Sequence, residues 1–373
     1  MSYATKEATF AYLKKFSNYS RDFYKFSGEF FISSLGLGTF RKEPYREENY
    51  VLNYKEAVKS AVLNGINHID TAINYRYQVS EQEIGEALKE LFDTGSVTRE
   101  QLVISSKAGF IPLEFPFPKN PYEWIDEQII QKALATKDEI VIDQHCLSPK
   151  YLRWSVEQSL ENLGIETLDI LYLHNPETQL GYVEYETLLE RIEEAFELFE
   201  KLREEGKIRT YGIAAWNGFL YEEGHKEYIS LQDIVKIAQK VGGEAHGFKY
   251  VQSPYNMAKT EAFTYTNQKG GDGRYYTLMQ VCAGYGLHFV GSSSLLQLNL
   301  FKAKFAPNVG EALGTSEFND LLSALQFARS SSALSSLFGS VEPLHVKDNL
   351  TLAHIPVVGR ENIISLFGEK DAL

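Results

Sequence analysis

The chain has 373 residues, 44% of them apolar and 23% charged, which is the composition of a folded protein rather than a disordered one. Its 50 Asp and Glu outnumber 37 Lys and Arg, for a formal net charge of −13, and such a surface repels phosphate backbones and argues against nucleic acid as a partner. No apolar run approaches the roughly 18–20 residues of a membrane-spanning helix, the opening MSYATKEATFAYLKKF lacks the apolar core of a secretory signal, and two cysteines, Cys146 and Cys282, make no disulfide framework, so a cytoplasmic location is expected.

Residues 1–22 read as an N-terminal extension, amphipathic over 3–16. The segments 23–25 and 30–32 then flank Ser27 and Gly28 and read as a hairpin, placed to plug one end of a barrel. From Ser34 onward strand-like and helix-like patterns alternate. Strands are predicted at 34–39, 68–72, 102–107, 168–173, 208–214, 250–253, 287–291 and 335–338. Helices are predicted at 54–63, 81–92, 151–163, 188–205, 231–241, 275–284, 316–329 and 343–353. Ser80 ahead of Glu83 and Ser230 ahead of Asp233 are N-cap signals, and Gly164 and Gly206 stand where a left-handed residue closes a helix.

Strict alternation requires a parallel sheet, because each crossover helix returns the chain to the same edge. The fold class is therefore α/β, and eight such units fit a (β/α)8 TIM barrel spanning residues 23–355, with a C-terminal tail over 356–373. An open doubly wound sheet would carry a glycine-rich turn after its first strand, and Gly36, Gly38 and Gly85 do not form that fingerprint. A long insertion, residues 110–149, follows the third strand and is rich in Pro and aromatic residues, among them Phe110, Phe117 and Trp124. It reads equally as a wall of the substrate pocket or as a packed decoration. His145 and Cys146 within it lack metal-ligand spacing, so no metal is expected.

Four polar residues fall at successive strand ends: Asp70 in HIDTA, Tyr75 five residues on, Lys107 in LVISSK and His174 in LDILYLH. Each taken alone is more often a cap, a packed ring, a solvated cation or a structural histidine. Together, on one rim of a barrel, they form a set with a chemistry. Asp70 pairs Lys107, the ammonium lowers the phenol pKa of Tyr75, and a neutral His174 donates to the oxygen that Tyr75 protonates. That suits hydride addition to a carbonyl.

The blocks LGLGTF, HIDTAINYR, SEQEIGEAL, LVISSKAGF and LDILYLHNPE resemble the signature segments of the aldo/keto reductase superfamily, over residues 23–352. HNPETQL and YGIAAWNGF look like a divergent microbial branch with a long loop after strand three. The resemblance implies a TIM barrel with an NAD(P)H-dependent site acting on a small-molecule aldehyde or ketone. It implies Tyr75 as general acid, Lys107 and Asp70 as its tuners, and His174 as orienting donor. It also places Gly38, Thr39, Gln252, Gly339, Ser340, His345, Asp348 and Asn349 against the cofactor, which is NADP(H) or NAD(H).

The sequence departs from the family pattern in three places. Ala214 and Ala215 replace a Ser-Asn pair that holds the nicotinamide amide, VGSSSLLQ lacks a stacking ring, and Gly339, Ser340, Val341 and His345 stand where cations grip a 2′-phosphate, with Glu342 adding a negative charge. A barrel that binds a nucleotide with little catalysis is the competing reading. A Schiff-base lyase using Lys107 is disfavoured, because a paired Asp70 raises the amine pKa that such chemistry needs lowered.

Overall fold

Each short apolar segment from Ser34 onward forms a parallel strand, and the strands close on themselves in chain order. They are β1 (Leu35–Gly38), β2 (His68–Asp70), β3 (Val103–Ala108), β4 (Leu168–His174), β5 (Ile208–Ala214), β6 (Phe248–Pro254), β7 (His288–Ser292) and β8 (Ser335–Gly339), with β8 pairing back onto β1. The helices between them are α1 (Lys55–Leu63), α2 (Val79–Asp93), α3 (Pro149–Leu163), α4 (Tyr185–Glu204), α5 (Leu231–Gly242), α6 (Leu278–Gly284), α7 (Asp320–Ser330) and α8 (Pro343–Asn349). This is the expected (β/α)8 barrel. It is a computed structural model that describes residues 2–40, 53–302 and 304–367. No helix among the described residues is long and apolar enough to cross a membrane.

Strand alternation divides the side chains into two sets. Ile69, Ile104, Leu171, Leu173, Ile213 and Val251 face outward into the layer under the helices. Val103, Ile170, Tyr172, Tyr250, Val290 and Leu337 fill the lumen. The predicted hairpin forms from Tyr24–Phe26 and Phe31–Ser33. Its Phe30 and Ile32, with Ala4 of the extension, join the lumen cluster and seal the end where the strands begin. The extension forms a helix over Lys6–Lys14 capped by Thr5, and the Ala4 amide donates to Asp169 at the start of β4 at 2.7 Å.

Several boundaries move. Residues Tyr275–Thr277 pair with Thr266–Lys269 as a hairpin, and the helix predicted from 275 begins at Leu278, where Thr277 and Gln280 make a capping box. Two tyrosines and a threonine prefer the extended pairing. Ser80 is not a cap: α2 begins behind a left-handed Gln78, and the Ser80 hydroxyl donates to the Thr39 carbonyl instead. Ser230 does cap α5, and Gly164 and Gly206 are left-handed as expected. The helix predicted from 316 starts at Asp320 behind Asn319, which accepts from the Leu322 amide, and Pro307–Leu313 is a separate helix.

The insertion has structure of its own. Asn120 caps a short helix, Pro121–Ile125, and Ile140–Val141 pairs with His145–Cys146. Trp124, Ile125, Ile129 and Cys146 join the main core. As far as Phe367 the tail runs along the outer wall: Gln326 of α7 donates to the Pro356 carbonyl, and Phe367 packs on Phe263 and Phe327. Residues 368–373 lie outside the described part.

Candidate active site

The rim where the strands end carries the polar set. Register aligns Gly38 with Asp70, Asp70 with Ser105, Lys107 with Tyr172, and His174 with Ala214. Because Asp70, Lys107 and His174 share the inward parity of the lumen residues, they converge above them. The Lys107 ammonium donates to Asp70 Oδ1 at 2.5 Å and to the Thr71 carbonyl at 2.7 Å. Ser105 and Gln252 donate to Asp70 Oδ2 at 2.8 and 3.0 Å. Asp70 is thus held on both oxygens.

Tyr75 sits on the loop after β2, with the Lys107 nitrogen 4.9 Å from its ring centre and the His174 ring 6.0 Å away. All four predicted residues therefore meet. The electrostatics differ from the expectation in one respect. Burial raises the Tyr75 pKa above its ordinary value, and Lys107 pulls downward without cancelling it. The phenol is protonated at neutral pH. Burial opposes the Lys107 charge too, yet Asp70 and Tyr75 hold its pKa above the ordinary lysine value. That is the opposite of what Schiff-base chemistry requires. His174 is pushed well below the ordinary histidine range, by burial first and Lys107 second, and is neutral as expected. Its Nδ1 has no hydrogen-bond partner among the described residues.

Tyr75 is followed by three left-handed residues, Arg76, Tyr77 and Gln78. Such a run is costly for residues with a Cβ and is held from both sides. Arg76 is buried and paired with Glu83 at 2.5 Å, and Gln78 donates to the Leu113 carbonyl of the insertion at 2.7 Å. Phe40 lies 5.1 Å from the Tyr75 ring, and, two residues on, Phe117 of the insertion lies 4.9 Å from Tyr77.

Of the residues proposed for the cofactor, Gly38 and Gly339 are neighbours on the rim between β1 and β8. Thr39 is bonded to Thr71 at 2.8 Å. Gln252 gives its amide to Asp70, so Asp70 competes for a group expected to serve nicotinamide. Ser340 exchanges hydrogen bonds with Glu342 just ahead of α8; His345 and Asp348 are exposed and Asn349 is buried. Beyond β7, Ser294 is buried with an unpartnered hydroxyl, a donor free for a polar ligand. No group of His, Cys, Asp and Glu among the described residues forms a metal site.

The aldo/keto reductase family model matches residues 34–239. The chain belongs to the aldo/keto reductase family. It is 26% identical over 199 residues to glycerol 2-dehydrogenase (NADP(+)) of Hypocrea jecorina, covering 50% of this chain and 49% of that protein. It is 28% identical over 186 residues to the NADH-specific methylglyoxal reductase of Escherichia coli (strain K12), covering 49% and 48%. The chain thus spans about half the length of these relatives. Among solved structures, an aldose reductase from Schistosoma japonicum superposes with a TM-score of 0.55 at 19% identity, over 89% of this chain and 87% of that one. This likeness shows the barrel fold over nearly the whole chain.

Sequence reasoning missed three contributors to this candidate site. Ser105 supports Asp70. Glu177, in the loop after β4, accepts the Trp216 and Asn217 amides at 2.5 and 3.2 Å and ties down the loop after β5. Burial raises its pKa to about 6, against the pull of those amides. His145 is fully buried and reaches the His174 carbonyl at 2.8 Å. Ser105 stands two residues before Lys107 with matching parity, which is a usable signal; Glu177 and His145 carry none. Cys146 is no reactive thiol, since burial pushes it up to about 12. A cleft of about 560 Å³ near Tyr185, His225, Tyr228 and Lys269 includes none of the tetrad.

Proposed function

We propose that this protein reduces the carbonyl of a small aldehyde or ketone to an alcohol, with Tyr75 as general acid. The observation that carries the reading is the meeting of Tyr75 with a buried Lys107–Asp70 pair and a neutral His174. A nicotinamide dinucleotide, when bound, supplies the hydride for the carbonyl carbon. The π electrons of the C=O bond then pass to oxygen, and the Tyr75 hydroxyl gives that oxygen its proton. The phenolate left behind lies beside the Lys107 ammonium, which lowers the cost of forming it. His174, being neutral, donates a hydrogen bond to the same oxygen as charge develops. Asp70 keeps Lys107 charged and in place. The Phe40 ring packs against Tyr75 and the Phe110 ring against His174.

On this reading the dinucleotide lies along the rim between β6 and β1, past the paired Gly38 and Gly339, with the Ser294 hydroxyl free to donate to it. Gln252, Ser340, His345, Asp348 and Asn349 complete the proposed set. The exposed Glu342 opens α8 with no cation at Gly339, His345 or Ser340, and Lys347 faces solvent. A 2′-phosphate there meets a like charge, so NADH binds at least as tightly as NADPH. Fluorescence titration with both checks this, and a clear preference for NADPH rejects it.

Tyr75→Phe removes the proton donor and little volume. It lowers kcat by at least about 100-fold on a carbonyl the native protein reduces, while the dinucleotide Kd stays within about twofold. Full activity in Tyr75→Phe excludes this mechanism. A second reading, a dinucleotide-binding barrel with little turnover, draws on Ala214 and Ala215 and on the Gln252 amide committed to Asp70. Dinucleotide binding without turnover on a broad panel of carbonyls favours it.

A further inference from the structure

We infer that His145 of the insertion is a positioning residue for His174, and that Gln179 and Arg191 set its tautomer. This rests on the reading of His174 as the orienting donor. His145 Nε2 lies 2.8 Å from the His174 carbonyl oxygen, which can only accept, so Nε2 carries the hydrogen. Gln179 Nε2 lies 2.8 Å from His145 Nδ1, and an amide nitrogen can only donate, so Nδ1 is the acceptor. Arg191 donates to Gln179 Oε1, and a guanidinium can only donate, so the Gln179 amide is oriented with its nitrogen toward His145. Each link in this chain has one permitted direction. It runs from α4 through the loop after β4 and the insertion hairpin to the strand end that carries His174.

The packing has the same purpose. The Phe110 ring stands edge-on between the two imidazoles, 4.8 Å from His145 and 5.0 Å from His174. Gly109 lets the hairpin approach: a Cβ there would lie 2.9 Å from the His174 carbonyl oxygen and 3.1 Å from His145 Nε2. The backbone of His174 is therefore fixed by a donor and its ring by an aromatic edge. Both come from the insertion. A donor to a carbonyl acts on where the imidazole points, not on the reaction itself, so His145 works through His174.

The test compares His145→Phe, which keeps bulk and loses both nitrogens, with His145→Gln, whose amide can again donate to the His174 carbonyl. If the inference holds, His145→Phe lowers kcat between about 10- and 100-fold with KM within about twofold, and His145→Gln recovers kcat to within about fivefold of the native value. Arg191→Leu, outside the core, gives a smaller loss of the same kind. Nitrogen-15 NMR of the imidazoles reads the geometry without turnover: the His174 ring resonances shift in His145→Phe and return in His145→Gln. Equal kcat and unmoved His174 resonances in all three variants overturn the inference. So does a loss in His145→Phe that His145→Gln shares. A native protein that reduces no carbonyl would defeat the reductase reading instead, and the NMR comparison would still decide the positioning one.

Discussion

At the scale of single residues, the decisive balance is between burial and pairing. Lys107 and Asp70 are each almost fully buried, and neither charge is tolerable there without the other. Asp70 also accepts from Ser105 and Gln252, so its loss strands three donors. Asp70→Asn leaves an uncompensated ammonium in the barrel mouth. It costs about 3–5 kcal/mol of stability, measured by urea unfolding at pH 7; a change below about 1 kcal/mol shows that water reaches Lys107 freely. Tyr75 illustrates the converse. The same burial that makes Lys107 depend on Asp70 holds the phenol protonated, which is the state a general acid must start from.

At the scale of elements, close approach is bought with glycine. Gly85 of α2 faces α3, and a Cβ there would lie 2.3 Å from the Asn162 carbonyl oxygen. Backbone cannot step aside as a side chain tip can. Gly85→Ala gains up to about 1 kcal/mol of helix propensity but forces the two helices apart at a cost of about 1–3 kcal/mol. The net effect is destabilisation, seen as a lower thermal midpoint by circular dichroism; an unchanged or higher midpoint refutes the contact. The left-handed turn after Tyr75 is a second such element. Its strain is stored beside Tyr75, the proposed general acid, and the Arg76–Glu83 pair and the Gln78–Leu113 bond keep it from relaxing.

At the scale of the whole molecule, buried neutral histidines make stability depend on pH. Burial lowers His68 and His145 from 6.5 to about 4. Between those values the unfolded chain binds protons that the folded one does not, so stability is full above about pH 6.5 and falls as pH drops toward 4. The loss is about 2 kcal/mol for each histidine by pH 5. Glu177 works the other way: its pKa rises from 4.5 to about 6 on folding, which adds about 1 kcal/mol over the same fall in pH. The histidines win, and His174 adds to them in direction. The urea midpoint therefore drops between pH 7 and pH 5, and a flat or rising midpoint contradicts the burial of these rings.

What could be read from the chain itself follows from range. Strand periodicity is local, so the eight barrel strands lie where β-branched and apolar runs place them, and the parity of each run points its last polar residue inward. Asp70, Lys107 and His174 are strand-end residues in sequence for the same reason that they meet in space. Tyr75 follows at a fixed short distance from Asp70. Only the tertiary structure decided the rest. Whether Tyr75 sits above or below its ordinary pKa depends on burial, which no local pattern contains. Gln252 matches a family position that serves the cofactor, yet its amide turns to Asp70, a partner 182 residues away. The insertion's double nature, packed through Trp124 and Cys146 and reaching the site through Phe110 and His145, arises from contacts that close only when the barrel has formed. Secondary structure is written in the order of neighbours along the chain, whereas the state of a buried charge or ring is set by neighbours across it.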